Sequence, residues 1–223
     1  IHDVAIQDLP VVMCLDRGGL VGEDGVTHHG VFDMAAFGAV PGLTIAAPMN
    51  EPELRNMMYT ALGSGHPFMI RYPRGHGEGL PWRGEKFEAL PVGRGRRLRE
   101  GDDVALVSVG TVGNAAARAA ERAAAEGVNA AHYDLRFVKP LDEALLDEVG
   151  RKFRRVVTVE DGALRGGVGE AVAAFFNDRG YDVRVHRLGI GDEWVEHGTP
   201  GQLYALCGYD EEGILRALLD TRA

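Results

Sequence analysis

Short apolar, β-prone runs alternate with stretches of helical periodicity along most of this chain, and that alternation constrains its fold more than any other feature. Residues 11–15, 43–47 and 68–71 are too brief for buried helices, whereas residues 51–62 place Leu54, Met57, Met58 and Ala61 at helical spacing. Strands and helices alternating in this way predict a parallel sheet. Asn50 is placed to cap the helix, with Pro52 in its first turn. Met57 and Met58 read as core filling, since thioethers suit irregular gaps. A second series opens with a strand at 104–109 and an Ala-rich helix from 111 to 126 that Gly127 stops. Further strands are predicted at 130–135, 156–160 and 183–188, and helices at 142–153, 167–179 and 211–219. The predicted fold class is α/β, with two doubly wound, mostly parallel sheets.

The composition divides the chain. Residues 1–81 form one unit and residues 103–223 a second. Between them, residues 82–102 are rich in Gly, Pro and charge, and read as a linker followed by a hairpin. The basic run Gly93-Arg94-Gly95-Arg96-Arg97 reads as a solvated face, because the chain as a whole carries a formal charge of -9. That charge argues against nucleic-acid or acidic-membrane binding, both of which need a concentrated positive field. No apolar run approaches the ~20 residues of a membrane span and no signal peptide is visible. Cys14 and Cys207 give neither a disulfide framework nor a zinc spacing, which fits the cytoplasm. His66, His76, His132, His186 and His197 are scattered, so no metal site is predicted.

Chemistry concentrates where a strand predicted to be buried on both faces, at 11–15, runs into the loop Asp16-Arg17-Gly18-Gly19-Leu20-Val21-Gly22-Glu23-Asp24-Gly25-Val26-Thr27-His28-His29-Gly30. Ligands of open parallel sheets sit beyond the carboxyl ends of strands, and five glycines let this loop turn sharply. On its own, such a loop reads more readily as solvated surface charge. Arg74 follows another strand in Arg71-Tyr72-Pro73-Arg74-Gly75, so Arg17 and Arg74 stand at two strand ends of one sheet, where both guanidiniums can reach one anion. Arg71, inside its strand, reads as buried or paired. Gly162-Ala163-Leu164-Arg165-Gly166-Gly167-Val168-Gly169 lacks a following ribose-binding acid and reads as structural or dimer-contact sequence.

Position by position from Asp16 to Asp33, the loop resembles the 1-deoxy-D-xylulose-5-phosphate synthases, thiamine-diphosphate enzymes of the transketolase superfamily. Arg71-Tyr72-Pro73-Arg74-Gly75, the opening Ile1-His2-Asp3-Val4-Ala5-Ile6-Gln7, Asp134 to Asp142, and Val159-Glu160-Asp161 extend the resemblance along the chain. The resemblance implies condensation of pyruvate with D-glyceraldehyde 3-phosphate, with loss of carbon dioxide, to an isoprenoid precursor. It implies that Arg17 and Arg74 hold the acceptor phosphate, that Asp24 contacts the acceptor hydroxyl, and that His28 polarises or protonates the aldehyde oxygen. Phe32 is a candidate contact to the cofactor pyrimidine, with a core role the alternative; His29 reads as structural. Thiamine diphosphate and Mg2+ are the implied cofactors, and a homodimer is the implied assembly.

The family's metal and diphosphate signature is not matched, because Gly22-Glu23-Asp24-Gly25 has no downstream asparagine pair, and its catalytic glutamate falls upstream of Ile1. The chain also starts without Met and looks like a helix already under way. It therefore reads as part of a longer protein, inactive without the missing amino-terminal portion. Other readings left open are another thiamine-diphosphate enzyme, either transketolase or a 2-oxoacid dehydrogenase β subunit, and a non-catalytic α/β assembly module.

Overall fold

In a computed structural model, which describes residues 1–220, the strands are β1 (Val12–Leu15), β2 (Thr44–Ala46), β3 (Phe68–Arg71), β4 (Arg96–Arg99), β5 (Val104–Val109), β6 (Ala130–Asp134), β7 (Phe137–Lys139), β8 (Arg155–Ala163) and β9 (Arg184–Ile190). The helices are α1 (Asp33–Gly38), α2 (Glu51–Gly63), α3 (Val112–Ala125), α4 (Glu143–Lys152), α5 (Val168–Asp178), α6 (Pro200–Leu206) and α7 (Glu211–Leu219). One sheet runs β1-β3-β2-β7 and the other β4-β6-β5-β8-β9. All pairings are parallel except β2 with β7 and β4 with β6. The chain is thus α/β with two mostly parallel sheets.

Side-chain alternation makes the second sheet two-faced. Val104, Leu106, Val157 and Val159 face α3 and α7, while Ala105, Val107, Tyr133 and Val156 face α4 and α5. Helix α3 comes close because Ala116, Ala119, Ala120 and Ala123 form its inner stripe, all fully buried. Arg118 and Arg122 then reach Glu211 of α7 at 2.9 and 3.0 Å. Burying a Val, Leu or Phe side chain is worth about 1.5–3 kcal/mol, so these two faces hold most of the fold together.

Four expectations change. Strand β1 is an edge strand, half-buried and with Cys14 exposed, because β3 takes the interior position; an apolar run does not reveal whether a neighbour lies on both sides. Residues 2–8 form turns in place of the expected helix, with Ile1 and Ile6 exposed and Asp8 at φ +50, a left-handed conformation that no α-helix contains. Met57 is core, whereas Met58 is exposed beside Cys14, Sδ to Sγ 3.7 Å. Within the linker stretch, β4 pairs with β6, and two of its arginines are paired with acids: Arg96 lies 3.0 Å from Glu53 and 3.1 Å from Asp134, and Arg97 lies 2.8 Å from Glu148. Arg136 also meets Glu53 at 2.8 Å, so α2 of the first unit is fastened to the second.

Candidate active site

Strands β1 and β3 are parallel neighbours with Leu15 opposite Arg71, so the segments leaving their carboxyl ends emerge side by side. Gly18 N donates to the Tyr72 carbonyl at 2.9 Å, holding the two exits together. Arg17 adopts φ +60, a left-handed conformation that costs a non-glycine residue about 1–2 kcal/mol. Here it turns the side chain toward Asp24. Arg74 donates to Asp24 Oδ2, and Arg17 Nε lies 3.5 Å from the same oxygen. Arg17 Nη1 donates to Asp16 at 2.7 Å, yet its Nε is buried and donates to nothing. The hydrogen bond from Arg74 holds the Asp24 carboxyl below the usual carboxylate range; partial desolvation opposes it, while the charge of Arg74, the nearby Arg17 guanidinium and the charge of His28 reinforce it.

Residues 16–30 are closed at the neck by Gly19 N to Gly30 O at 2.8 Å and Gly30 N to Gly19 O at 2.9 Å. A Cβ on Gly30 would stand 2.1 Å from the Arg17 carbonyl, so only glycine fits there. A single 3-10 turn over Gly22–Asp24 presents Asp24. His29 Nδ1 accepts from Val21 N at 3.1 Å and its Nε2 lies 3.4 Å from the Glu196 carbonyl, so this ring fastens the loop to the second unit. His28 is exposed, with Nδ1 2.9 Å from Thr27 Oγ1, on the same loop as Asp24. Phe32 is elsewhere: it is 48% exposed and stands edge-on to Trp194 at 5.8 Å. The structure thus brings Arg17, Asp24 and Arg74 together, sets His28 on the same loop, and turns Phe32 toward Trp194.

Beneath the loop, Arg71 is buried, as its place in the strand predicts. It donates to Asp33 at 2.7 Å, to the Gly30 carbonyl at 3.2 Å and to the Asp161 carbonyl at 2.9 Å. Glu160 accepts from Val168 N and Gly169 N, both at 2.8 Å, so the glycine-rich turn after β8 serves as a helix start with a built-in carboxylate. Beside Arg74 opens a cleft of 690 Å3 between the units, lined by Asn50, Tyr72, His76, Arg118 and Tyr204 among others. Sequence reasoning gave Tyr204 and Tyr209 no place here; nothing local marks them, since their partner Asp161 lies far off in sequence.

Two arginines, one with a buried Nε that makes no direct hydrogen bond, suit a phosphate monoester. A metal-bound diphosphate is not served by these residues. No group of three or more His, Cys, Asp or Glu side chains among the described residues is arranged to hold a metal, and Asp24, the aspartate of Gly22-Glu23-Asp24-Gly25, is taken up by Arg74.

The chain belongs to the transketolase family: residues 93–214 match the family described as transketolase, C-terminal domain, and residues 1–78 match transketolase, pyrimidine binding domain. Within that family its curated relatives are 1-deoxy-D-xylulose-5-phosphate synthases. The protein of that name from Bacteroides fragilis is 57% identical over 100% of this chain and 34% of its own length. Its counterpart from Bacteroides thetaiotaomicron is 58% identical over 98% of this chain and 34% of its own, and that of Gloeobacter violaceus 45% over 99% and 35%. The chain therefore spans about a third of the length of the curated relatives it matches. Among solved structures, one titled split gene transketolase, inactive beta4 tetramer, aligns with TM-score 0.83 and 28% identity over 96% of this chain and 67% of that one. A Pichia stipitis transketolase complex with a TM-score of 0.76 and 21% identity, covering 97% of this chain and 31% of its own, shares the fold.

Proposed function

We propose that this chain carries the acceptor side of a thiamine-diphosphate-dependent synthase that joins pyruvate to D-glyceraldehyde 3-phosphate, with decarboxylation, giving 1-deoxy-D-xylulose 5-phosphate. The observation that carries the reading is the meeting of Arg17 and Arg74, from neighbouring strand ends, on the single carboxylate of Asp24, with Arg17 Nε buried and donating to nothing. A phosphate dianion entering there competes for both guanidiniums. Asp24 is then free to accept from the acceptor hydroxyl, and His28, on the same loop, supplies a proton to the aldehyde oxygen. Phe32, away from that carboxylate and edge-on to Trp194, is assigned to the cofactor pyrimidine.

The diphosphate, Mg2+ and catalytic glutamate belong, in this reading, to the part of the protein that the relatives carry beyond this span. The chain by itself is inactive, and its partners are that portion and a second copy. The split-gene transketolase of similar fold, an inactive beta4 tetramer, supports this division. The cytoplasm is the assigned location.

The test is turnover by the chain completed with the amino-terminal region of the Bacteroides relatives. Pyruvate and D-glyceraldehyde 3-phosphate should be consumed together, and Arg74→Ala should raise the acceptor KM by about tenfold or more while leaving that for pyruvate nearly unchanged. Turnover of ketose phosphates in place of pyruvate would reassign it as a transketolase. Absence of thiamine-diphosphate binding by the completed protein would leave an assembly module.

A further inference from the structure

Asp161 belongs to β8, yet its carboxylate, held by Tyr204 and Tyr209 of the second unit, also reaches the loop after β1. The side chain is buried, and its Oδ1 accepts from Leu20 N at 3.0 Å and from the Tyr209 hydroxyl at 2.7 Å. Tyr204 donates to Oδ2 at 3.4 Å. Its backbone carbonyl accepts from Arg71, the same guanidinium that grips Asp33 and Gly30. Gly19, at φ +85, passes so close that a Cβ would lie 1.9 Å from the Asp161 carboxylate. Leu20 is itself buried and sits between Arg17 and Asp24 in the chain, so its amide sets the turn connecting those two side chains. Desolvating a carboxylate is costly, and three donors with a guanidinium nearby are what offset that cost here.

We infer that Asp161 is a positioning residue of the acceptor site: with Tyr209, it fixes the Leu20 amide and so the spacing of Arg17 and Asp24, which makes the second unit a participant in acceptor recognition. Its functional half rests on the acceptor reading above; its structural half does not. A carboxylate that only stabilised the fold would, when removed, depress every kinetic parameter together or none.

Two readouts separate these cases. In the 223-residue chain, amide exchange followed by NMR should show Leu20 exchanging about a hundredfold faster in Asp161→Ala, while Leu106 and Val107 of β5 keep their protection. Asp161→Asn retains an acceptor oxygen and should restore most of the protection. Unchanged exchange at Leu20 in a folded Asp161→Ala overturns the inference whatever the enzyme does. In the completed enzyme, Asp161→Ala should raise the KM for D-glyceraldehyde 3-phosphate about tenfold, hold that for pyruvate within about twofold, and be largely rescued by Asp161→Asn. Parallel loss for both substrates, or an unchanged acceptor KM, overturns it. If Asp161→Ala loses the β5 protection and so has unfolded, Tyr209→Phe carries both tests, with the same split on a smaller scale. If the wild-type completed enzyme does not turn over this substrate pair, the functional reading fails and the exchange result alone decides the link between Asp161 and the loop.

Discussion

Arg74 donates to the carboxylate of Asp24 across fifty residues of sequence, and Arg17 approaches the same oxygen to 3.5 Å. Two cations beside one carboxylate favour its ionised form, so its folded-state pKa lies below the 3.8 of an unperturbed aspartate. Stability from this pairing is fully present above that unfolded value and is lost as pH falls through the lower folded one. Arg74→Ala removes the largest cause. Asp24 in that variant should titrate closer to its ordinary value, as read from carboxyl 13C shifts in an acid titration. An Asp24 titration that does not move would mean that Arg74 does not set it.

Two glycines give a paired comparison. Gly19 and Gly42 both have positive φ, +85 and +73, but a Cβ on Gly42 meets nothing within 4 Å, whereas on Gly19 it overlaps the Asp161 carboxylate. Gly42→Ala should cost only the left-handed penalty of about 1–2 kcal/mol. Gly19→Ala should cost about 2 kcal/mol more, since either the loop or β8 must shift. Urea midpoints of the two variants check the ordering, and equal losses would show that the contact with Asp161 is soft.

His132, on β6, should shape the acid limb of stability. Burial, aided by the charge of Arg96, pushes its pKa from 6.5 down to about 4, while Nε2 lies 2.8 Å from Ser108 Oγ. Between those values the unfolded chain binds a proton that the folded chain does not. Stability from neutral His132 is therefore complete above 6.5 and drains as pH falls toward 4, on the order of 3 kcal/mol in all. His132→Gln, which does not titrate, should lose less stability than the wild type between those two pH values. Parallel pH profiles from denaturant titrations would count against this role for His132.

Strands with dense apolar runs were legible to the residue: β3 and β5 fall where Phe68–Arg71 and Val104–Val109 predict them. Asn50 caps α2 as expected, accepting from Glu53 N at 3.1 Å. By contrast, β4 is Arg-Arg-Leu-Arg and β7 is three residues long, and each exists because a distant partner offers it an edge, which no local pattern records. Helix α6 had a readable signal in Thr199-Pro200-Gly201-Gln202, a capping box with Pro in the first turn, that went unused. At the candidate site, the strand-end positions of Arg17 and Arg74 were visible in sequence. Asp161 was not, because its partner Leu20 lies 141 residues earlier.

Strand β7 leaves the second half of the chain to complete the edge of the first sheet, pairing Lys139 with Ile45 and Phe137 with Ala46. Replacing the second half by that of another protein would therefore graft a foreign strand onto the first sheet and put another side chain where Phe137 now packs on Phe68 and Ile70. Through β7 the two halves of the chain share one sheet, so neither completes its packing alone.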